Sequence, residues 1–329
     1  MSLGIDLSLL PAPAVIDTLN YETILAQMLD DFQSRTPTFS ALLESDPVYK
    51  VLEVVAYREL LIRQNHNEKA SQIMLAYAKG TNLDALAALP WLQVTRLIIT
   101  PADNTTVPPT PAVMEDDNAF RNRLLLAYNQ LSTAGSTGSY KFHALSADSQ
   151  VKDASITSPT PGLVVVTIMS RLGSGYAQQT LLDTVYAALN ADTVRPLTDT
   201  VQVNTVEVIN YQITAEIIFY PGSSKQVVMD AATAEINKFI EKHHKIGHDI
   251  TLSGIHHALH QSGVQNVINI QLTTVASSGE LYNGNANYNG AYQYGVMGAT
   301  TNVTGDLVIS DTQVAFNTGI TLTQGGIDV

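Results

Sequence analysis

The sequence predicts an α+β protein in which an N-terminal helical segment is followed by two small α/β sandwiches and a short β-rich C-terminal extension. Apolar residues recur at helical spacing up to about residue 80, beyond which prolines interrupt the pattern. From Val151 to Leu272, strand-like runs alternate with helix-like ones, and some neighbouring strands have no helix between them. Strands joined without a crossover helix imply antiparallel pairs, which argues against a single doubly wound sheet. At 329 residues the chain also exceeds one compact core of ordinary size. The expected division is 1–113 for a helical region ending in a proline-rich linker, 114–207 and 208–274 for two α+β domains, and 275–329 for a β arm with C-terminal strands.

Asn20 is a good N-cap for a first helix whose apolar face is Ile24, Leu25, Met28, Leu29 and Phe32, and Thr36 and Pro37 end it. Asp46 precedes a proline at the first helical position, so a long helix is predicted from Pro47 to about Lys79, with Gly80 as its stop. Val48, Val51, Leu52, Val55, Ala56, Ile62, Ala70, Ile73 and Tyr77 share one face of it at about 100° per residue. Glu59, Arg63 and His66 lie inside that stripe. Glu59 and Arg63, four positions apart, either pair and meet a polar group on a partner helix or form a solvated bridge that contributes little. A short helix follows from Leu83 to Leu89.

Pro101, Pro108, Pro109 and Pro111 exclude helix between Trp91 and Val113 and favour a stiff, extended connection, a candidate hinge. Glu115, Asp116 and Asp117 suit the positive end of the next helix, whose face is Phe120, Leu124, Tyr128 and Leu131. Strands are expected at Val151–Thr157, Leu163–Met169, Val201–Val208, Tyr211–Tyr220 and Val264–Leu272, with helices near Ala177–Asn190, Gln226–His243 and Leu252–Gln261. Beyond Val275, Tyr282-Asn283-Gly284 is echoed by Tyr288-Asn289-Gly290, a hairpin-turn signal that reads as an exposed β arm or a glycine-rich loop. The alternation of Leu307 and Ile309, Val314 and Phe316, and Ile320 and Leu322 gives further strands.

Charged residues make up 14% of the chain against 45% hydrophobic, a balance that suits repeated burial against other subunits. A net charge of −13 argues against nucleic acid, whose phosphates are met by clustered Lys and Arg. The absence of cysteine excludes disulfides, thiolate metal sites and a Cys nucleophile. No export signal and no membrane span are expected.

Six of the eight histidines fall between His243 and His260. His256 and His260 are spaced for one helical face, but the residue after His256 is His257 where a metalloprotease pattern needs Glu, and His244 and His248 straddle Gly247. Structural histidines are the expectation, with no metal and no cofactor. Gly135 and Gly138 precede a helix, yet Tyr140, Lys141 and Phe142 stand where a phosphate-binding loop would need Gly, Lys and Ser or Thr, so a tight helix-to-helix turn is expected.

The segment DPVYKVLEVVAYRELLIRQNHNEKA, from Asp46 to Ala70, closely resembles the signature helix of the baseplate J-like proteins of contractile-tailed phages. LAYAKGTNLDALAAL, TPADNTTVPPTPAVMEDD, LSTAGSTGSY, ITSPTPGLVVVTIMSR, VRPLTD and FYPG follow in the order of that family and extend the likeness from Ile5 to about Leu272. The Tyr, Asn and Gly-rich stretch from Ser277 to Thr301 departs from it. The resemblance implies a non-enzymatic wedge subunit of a phage tail or tail-derived device, carried in the virion baseplate and assembled in the bacterial cytoplasm. Implied partners are a tail protein of the I type, a lysozyme-fold wedge protein, further copies of this chain within and between wedges, and the hub and sheath.

Tyr57, Glu59, Ile62, Arg63 and His66 on the long helix, with Tyr282, Tyr288 and Tyr292 on the arm, are the residues expected at partner interfaces. Two other classes compete with this reading: a carbohydrate-binding tail protein using the aromatic arm, and a hydrolase built on the histidine cluster.

Overall fold

The computed structural model describes residues 19–37, 42–132, 135–275, 300–303 and 305–327. The architecture is α+β, helical at the N-terminal end and strand-rich at the C-terminal end. It divides into two compact units, one of residues 1–96 and 114–125 and the other of 97–113 and 126–329.

The first unit begins with α1 (Tyr21–Arg35), capped by Asn20, whose side chain accepts from the Thr23 N–H at 3.1 Å. Ile24 and Leu25 of α1 bury against Ala56 of α2 (Pro47–Gln72), with Tyr49, Leu52 and Leu60 around them. Asp46 precedes α2 as expected, but its carboxylate accepts from the Leu43 N–H upstream and does not cap the helix.

α2 ends at Gln72, seven residues short of Lys79, and Gly80 does not stop it. Two connections account for the early end. The chain tightens into turns in which the Tyr77 and Ala78 N–H groups both donate to the Met74 carbonyl, and the Gln72 side chain accepts from the Lys79 N–H and Asn82 Nδ2. Gly80, at φ +52°, opens α3 (Gly80–Ala87), and only a residue free of a Cβ penalty adopts that angle without strain.

Two short strands follow, β1 (Ile98–Thr100) and β2 (Val113–Met114). The proline-rich segment between them is not a linear connector. It folds back on itself, with Asp103 and Thr110 exchanging both backbone hydrogen bonds at 2.9 Å. α4 (Asp117–Ala127) passes into a 3₁₀ turn at Tyr128–Leu131, and of its expected apolar face Phe120 and Leu124 are buried while Tyr128 and Leu131 are exposed.

α5 (Thr137–Ala147) starts at a true cap, the Ser136 hydroxyl accepting from the Ser139 N–H. A Cβ on Gly138 would stand 2.7 Å from Asn129 of the preceding 3₁₀ turn, so that glycine serves close packing in the turn. β3 (Val151–Thr160) and β4 (Leu163–Ser170) form an antiparallel hairpin, and α6 (Gln179–Leu189) crosses to β5 (Thr200–Thr205), which pairs in parallel with β4. Leu181, Val185 and Leu189, spaced every four residues on α6, bury with Tyr140 and Ala144 of α5 against Val164, Val166 and Ile168. Burying each such aliphatic side chain stabilises the fold by about 1.5–3 kcal/mol.

The second sheet, in the order β8-β7-β6-β9, uses β6 (Glu207–Phe219), β7 (Val264–Val275), β8 (Thr300–Val303) and β9 (Gln313–Ile327). β5 and β6 have no helix between them, yet they do not pair, contrary to the antiparallel rule applied to the sequence. After one intervening residue, Val206, the chain leaves the first sheet for the second, where β6 finds β7 antiparallel and β9 parallel. Tyr211, Ile213, Ala215, Ile217 and Phe219 alternate inward on β6. α7 (Lys225–His243) and α8 (Leu252–Leu259) cover them through Val228, Ala232, Ile236, Ile255 and Leu259. Leu307 and Ile309 join the same core, so the β-rich C-terminal stretch completes this sheet.

Candidate assembly surface

α2 has two faces. Tyr49, Leu52, Ala56 and Leu60 turn toward α1. On the far side, Val51 and Val54 are each 61% exposed and Ile62 is 56% exposed, with Val55, Tyr57 and Leu61 beside them. A shallow groove lined by Arg58, Leu61, Ile62, Asn65 and His66 runs along this side. With Val48, seven large apolar side chains of one helix are exposed, more than the scattered exposure of a monomer surface.

The expected interface residues fall on this face or at its border. Tyr57 and Ile62 are exposed within it, and His66 lines the groove. Glu59 and Arg63 stand at the border with α1, about one third exposed, where the Arg63 guanidinium donates to the Glu59 carboxylate. The pair therefore exists within one helix, and the open face combines its apolar row with Arg58, Asn65 and His66. Tyr282, Tyr288 and Tyr292 lie outside the described residues.

A charged node behind α2 fixes how the helix is presented, and sequence spacing did not reveal it. Arg121 of α4 donates at 2.7 Å to the carbonyls of Leu75 and Ala78, capping the turns that end α2. The Gly80 N–H points at the Asp117 carboxylate, and Arg96 reaches Asp84 and Asp117 at 2.7 and 2.8 Å. Burial opposes ionisation of Asp117, but the Gly80 N–H and the Arg96 guanidinium outweigh it and hold its carboxyl below the usual range. Arg123 and Glu115 form a pair 4% and 2% exposed, and the Arg96 and Arg123 guanidiniums each lie over the Phe120 ring. Of the acidic trio assigned to the helix start, only Asp116 acts as a cap, accepting from the Asn118 and Ala119 N–H groups. The signal available in the sequence was Arg121 and Arg123 following Glu115 and Asp117 within one or two turns.

The histidines take separate places. His243 donates through Nδ1 to the Phe239 carbonyl at 2.8 Å, and its ring lies 4.1 Å from the Phe239 ring. His256 on α8 and His260 just after its end stand edge to face at 5.6 Å, while His244 contacts Lys152 and the Ser174 carbonyl. Among the described residues, no three His, Asp or Glu side chains gather as a metal site would require. No helix among them is long and apolar enough to cross a membrane.

The open face of α2 with its groove, and the charged node behind the helix, are the candidate features of this unit. Residues 44–103 match the family model described as the baseplate J-like N-terminal domain, and residues 132–205 match the baseplate J-like central domain. The first match contains all of α2 and α3; the second ends with β5. Baseplate protein J of Escherichia phage P2 is 44% identical over 270 residues, which cover 80% of this chain and 89% of that protein. The chain belongs to the baseplate J-like family, and is a structural protein of a phage-type tail baseplate. A chain in the baseplate of the anti-feeding prophage is also similar, at 11% identity and a TM-score of 0.39, over 64% of this chain and 44% of that one. This chain thus spans less than half of that chain's length.

Proposed function

We propose that the protein is a wedge subunit with no catalytic role, repeated around the tail axis, and that its α2 face is where it is built into the wedge. The observation that carries this reading is the row Val51, Val54, Val55, Leu61 and Ile62, which α1 leaves open to solvent. A helix with apolar side chains on both sides is satisfied when a second helix covers the open one, so the fitting occupant is a helix of a wedge partner or of a second copy of this chain. Glu59, Arg63 and His66 border that contact and select among partners by charge. The two sheet domains, divided near 207, close the ring between neighbouring wedges around the hub, and that ring rearranges as the sheath contracts. The Tyr-rich stretch of 277–301 adds contacts between copies, while the strands that follow it belong to the second sheet.

Quantitative mass spectrometry of purified tail particles tests the assignment. A fixed small ratio to sheath and hub proteins, with about two copies per repeated sector, is the expected result. Absence from finished particles would make it an assembly factor and end the structural reading.

A further inference from the structure

Within the second unit, the three-stranded sheet meets the four-stranded one at a seam. Its centre is apolar, made of Met169, Val206, Ile246 and Val314 with Val208 against them. At its edge, Lys152 Nζ on β3 lies 2.9 Å from His244 Nδ1, just past the end of α7, and His244 Nε2 lies 3.3 Å from the Ser174 carbonyl on the loop after β4. A carbonyl can only accept, so the ring proton sits on Nε2 and Nδ1 is left as the acceptor of a lysine N–H. The ring thereby joins the two sheets from both of its nitrogens, and Phe316 of β9 packs 5.6 Å from it.

The charges around the bridge do not favour a second positive group. Asp153, next to Lys152, already pairs with Lys141 of α5 at 2.9 Å and accepts the Ile246 N–H at 3.3 Å. Glu241 on α7 attracts Lys152, whereas Arg171 after β4 and Lys245 beside the ring repel it, and His243 and His248 flank the same loop.

We infer that this seam is a proton-sensitive latch: a neutral His244, on the side of the four-stranded sheet, is held to Lys152 and the Ser174 carbonyl on the side of the three-stranded sheet, and a proton on Nδ1 turns its contact with Lys152 into two cations in contact. Burial first, and Lys152 second, hold the His244 pKa below its ordinary value, while the Ser174 contact works weakly the other way. The closed seam therefore resists a proton that an opened or unfolded chain accepts. Its contribution is complete above the ordinary histidine value of about 6.5 and is lost as pH falls from there through the depressed value of the closed state. Gly175, next to Ser174, has φ +101°, and a Cβ there would stand 3.1 Å from Met169, so a side chain at this position would strain the loop.

The chain contains no cysteine, so Ser158→Cys on β3 and Thr233→Cys on α7, both exposed, allow one spin label on each side of the seam in the full-length protein. Dipolar distance distributions would be compared between about pH 7.5 and about pH 5, a range that brackets histidine titration. A narrow distribution that lengthens and broadens in acid is expected, with His244→Gln narrow at both, because glutamine keeps an acceptor and a donor and cannot titrate. Wild-type distances unchanged in acid would overturn the latch, and so would equal broadening in His244→Gln. If the glutamine variant is already broad at neutral pH, Lys152→Met decides. Loss of the acid effect there supports repulsion between the two cations, and an acid effect of wild-type size overturns it.

Discussion

Single residues carry more of this fold than their sequence context suggests. Glu115 and Arg123 form a pair almost fully removed from water, with Arg123 also donating to the Thr95 carbonyl at 2.7 Å. Truncating one member of such a pair leaves the other charge in a poor dielectric, so Arg123→Met is expected to cost about 3–5 kcal/mol. The shift of the urea midpoint at unchanged slope measures this, and a loss within about 0.5 kcal/mol would show the pair to be dispensable. Gly254 offers a second case. A Cβ there would stand 2.6 Å from the Phe239 ring, so Gly254→Ala drives α8 off α7 and costs about 1–3 kcal/mol by overpacking, against the gain alanine gives an open helix. Neither residue was singled out by the sequence reading, because a close approach between elements leaves no periodic trace. Asn20 was legible as a cap because its partner lies three residues on.

At the scale of elements, periodicity identified nearly every helix, and the misplaced end of α2 shows where it stops working. Ile73 and Tyr77 continue the apolar spacing past Gln72, but the backbone is turned there by Arg121, 46 positions away from the carbonyl of Leu75 that it caps. Spacing also could not tell which side of α2 is covered in the monomer. It placed Val51, Val55 and Ile62 in one stripe with Ala56, whereas α1 covers Ala56 and leaves the other three exposed. That division gives a prediction with two readouts. Ile62→Asp, on the open side, is expected to leave the stability of the isolated chain within about 0.5 kcal/mol, as for other surface substitutions. Co-purification with wedge partners should fall at least tenfold, since a desolvated carboxylate at the centre of a helical interface costs well over about 1.4 kcal/mol. Ala56→Asp, on the covered side, should destabilise the isolated chain as well. Retained assembly of Ile62→Asp would move the partner surface elsewhere.

Over the whole molecule, composition and strand order predicted the class and the antiparallel pair of β3 and β4, but not the pairing of β6. β5 and β6 are neighbours in sequence and belong to different sheets, while β6 and β9 pair along their length although Glu207 and Gln313 are 106 positions apart. Local signals cannot encode such a contact; it follows from β9 burying Val314 and Ala315 within the core and at the seam. The same seam predicts how the protein comes apart. Met169 and Val206 on one side and Ile246 and Val314 on the other make the two sheet domains one cooperative body at neutral pH, whereas α1 and α2 bury residues of their own. Calorimetry of the isolated chain should therefore resolve two transitions, not three. Arg123→Met should lower only the transition of the first unit, and Gly254→Ala only that of the second. Below about pH 6 the protonated latch should split the second transition into two in the wild type and leave it single in His244→Gln. If Arg123→Met and Gly254→Ala move one common transition together, the chain unfolds as a single body, and rearrangement between its parts would have to be driven by partner subunits.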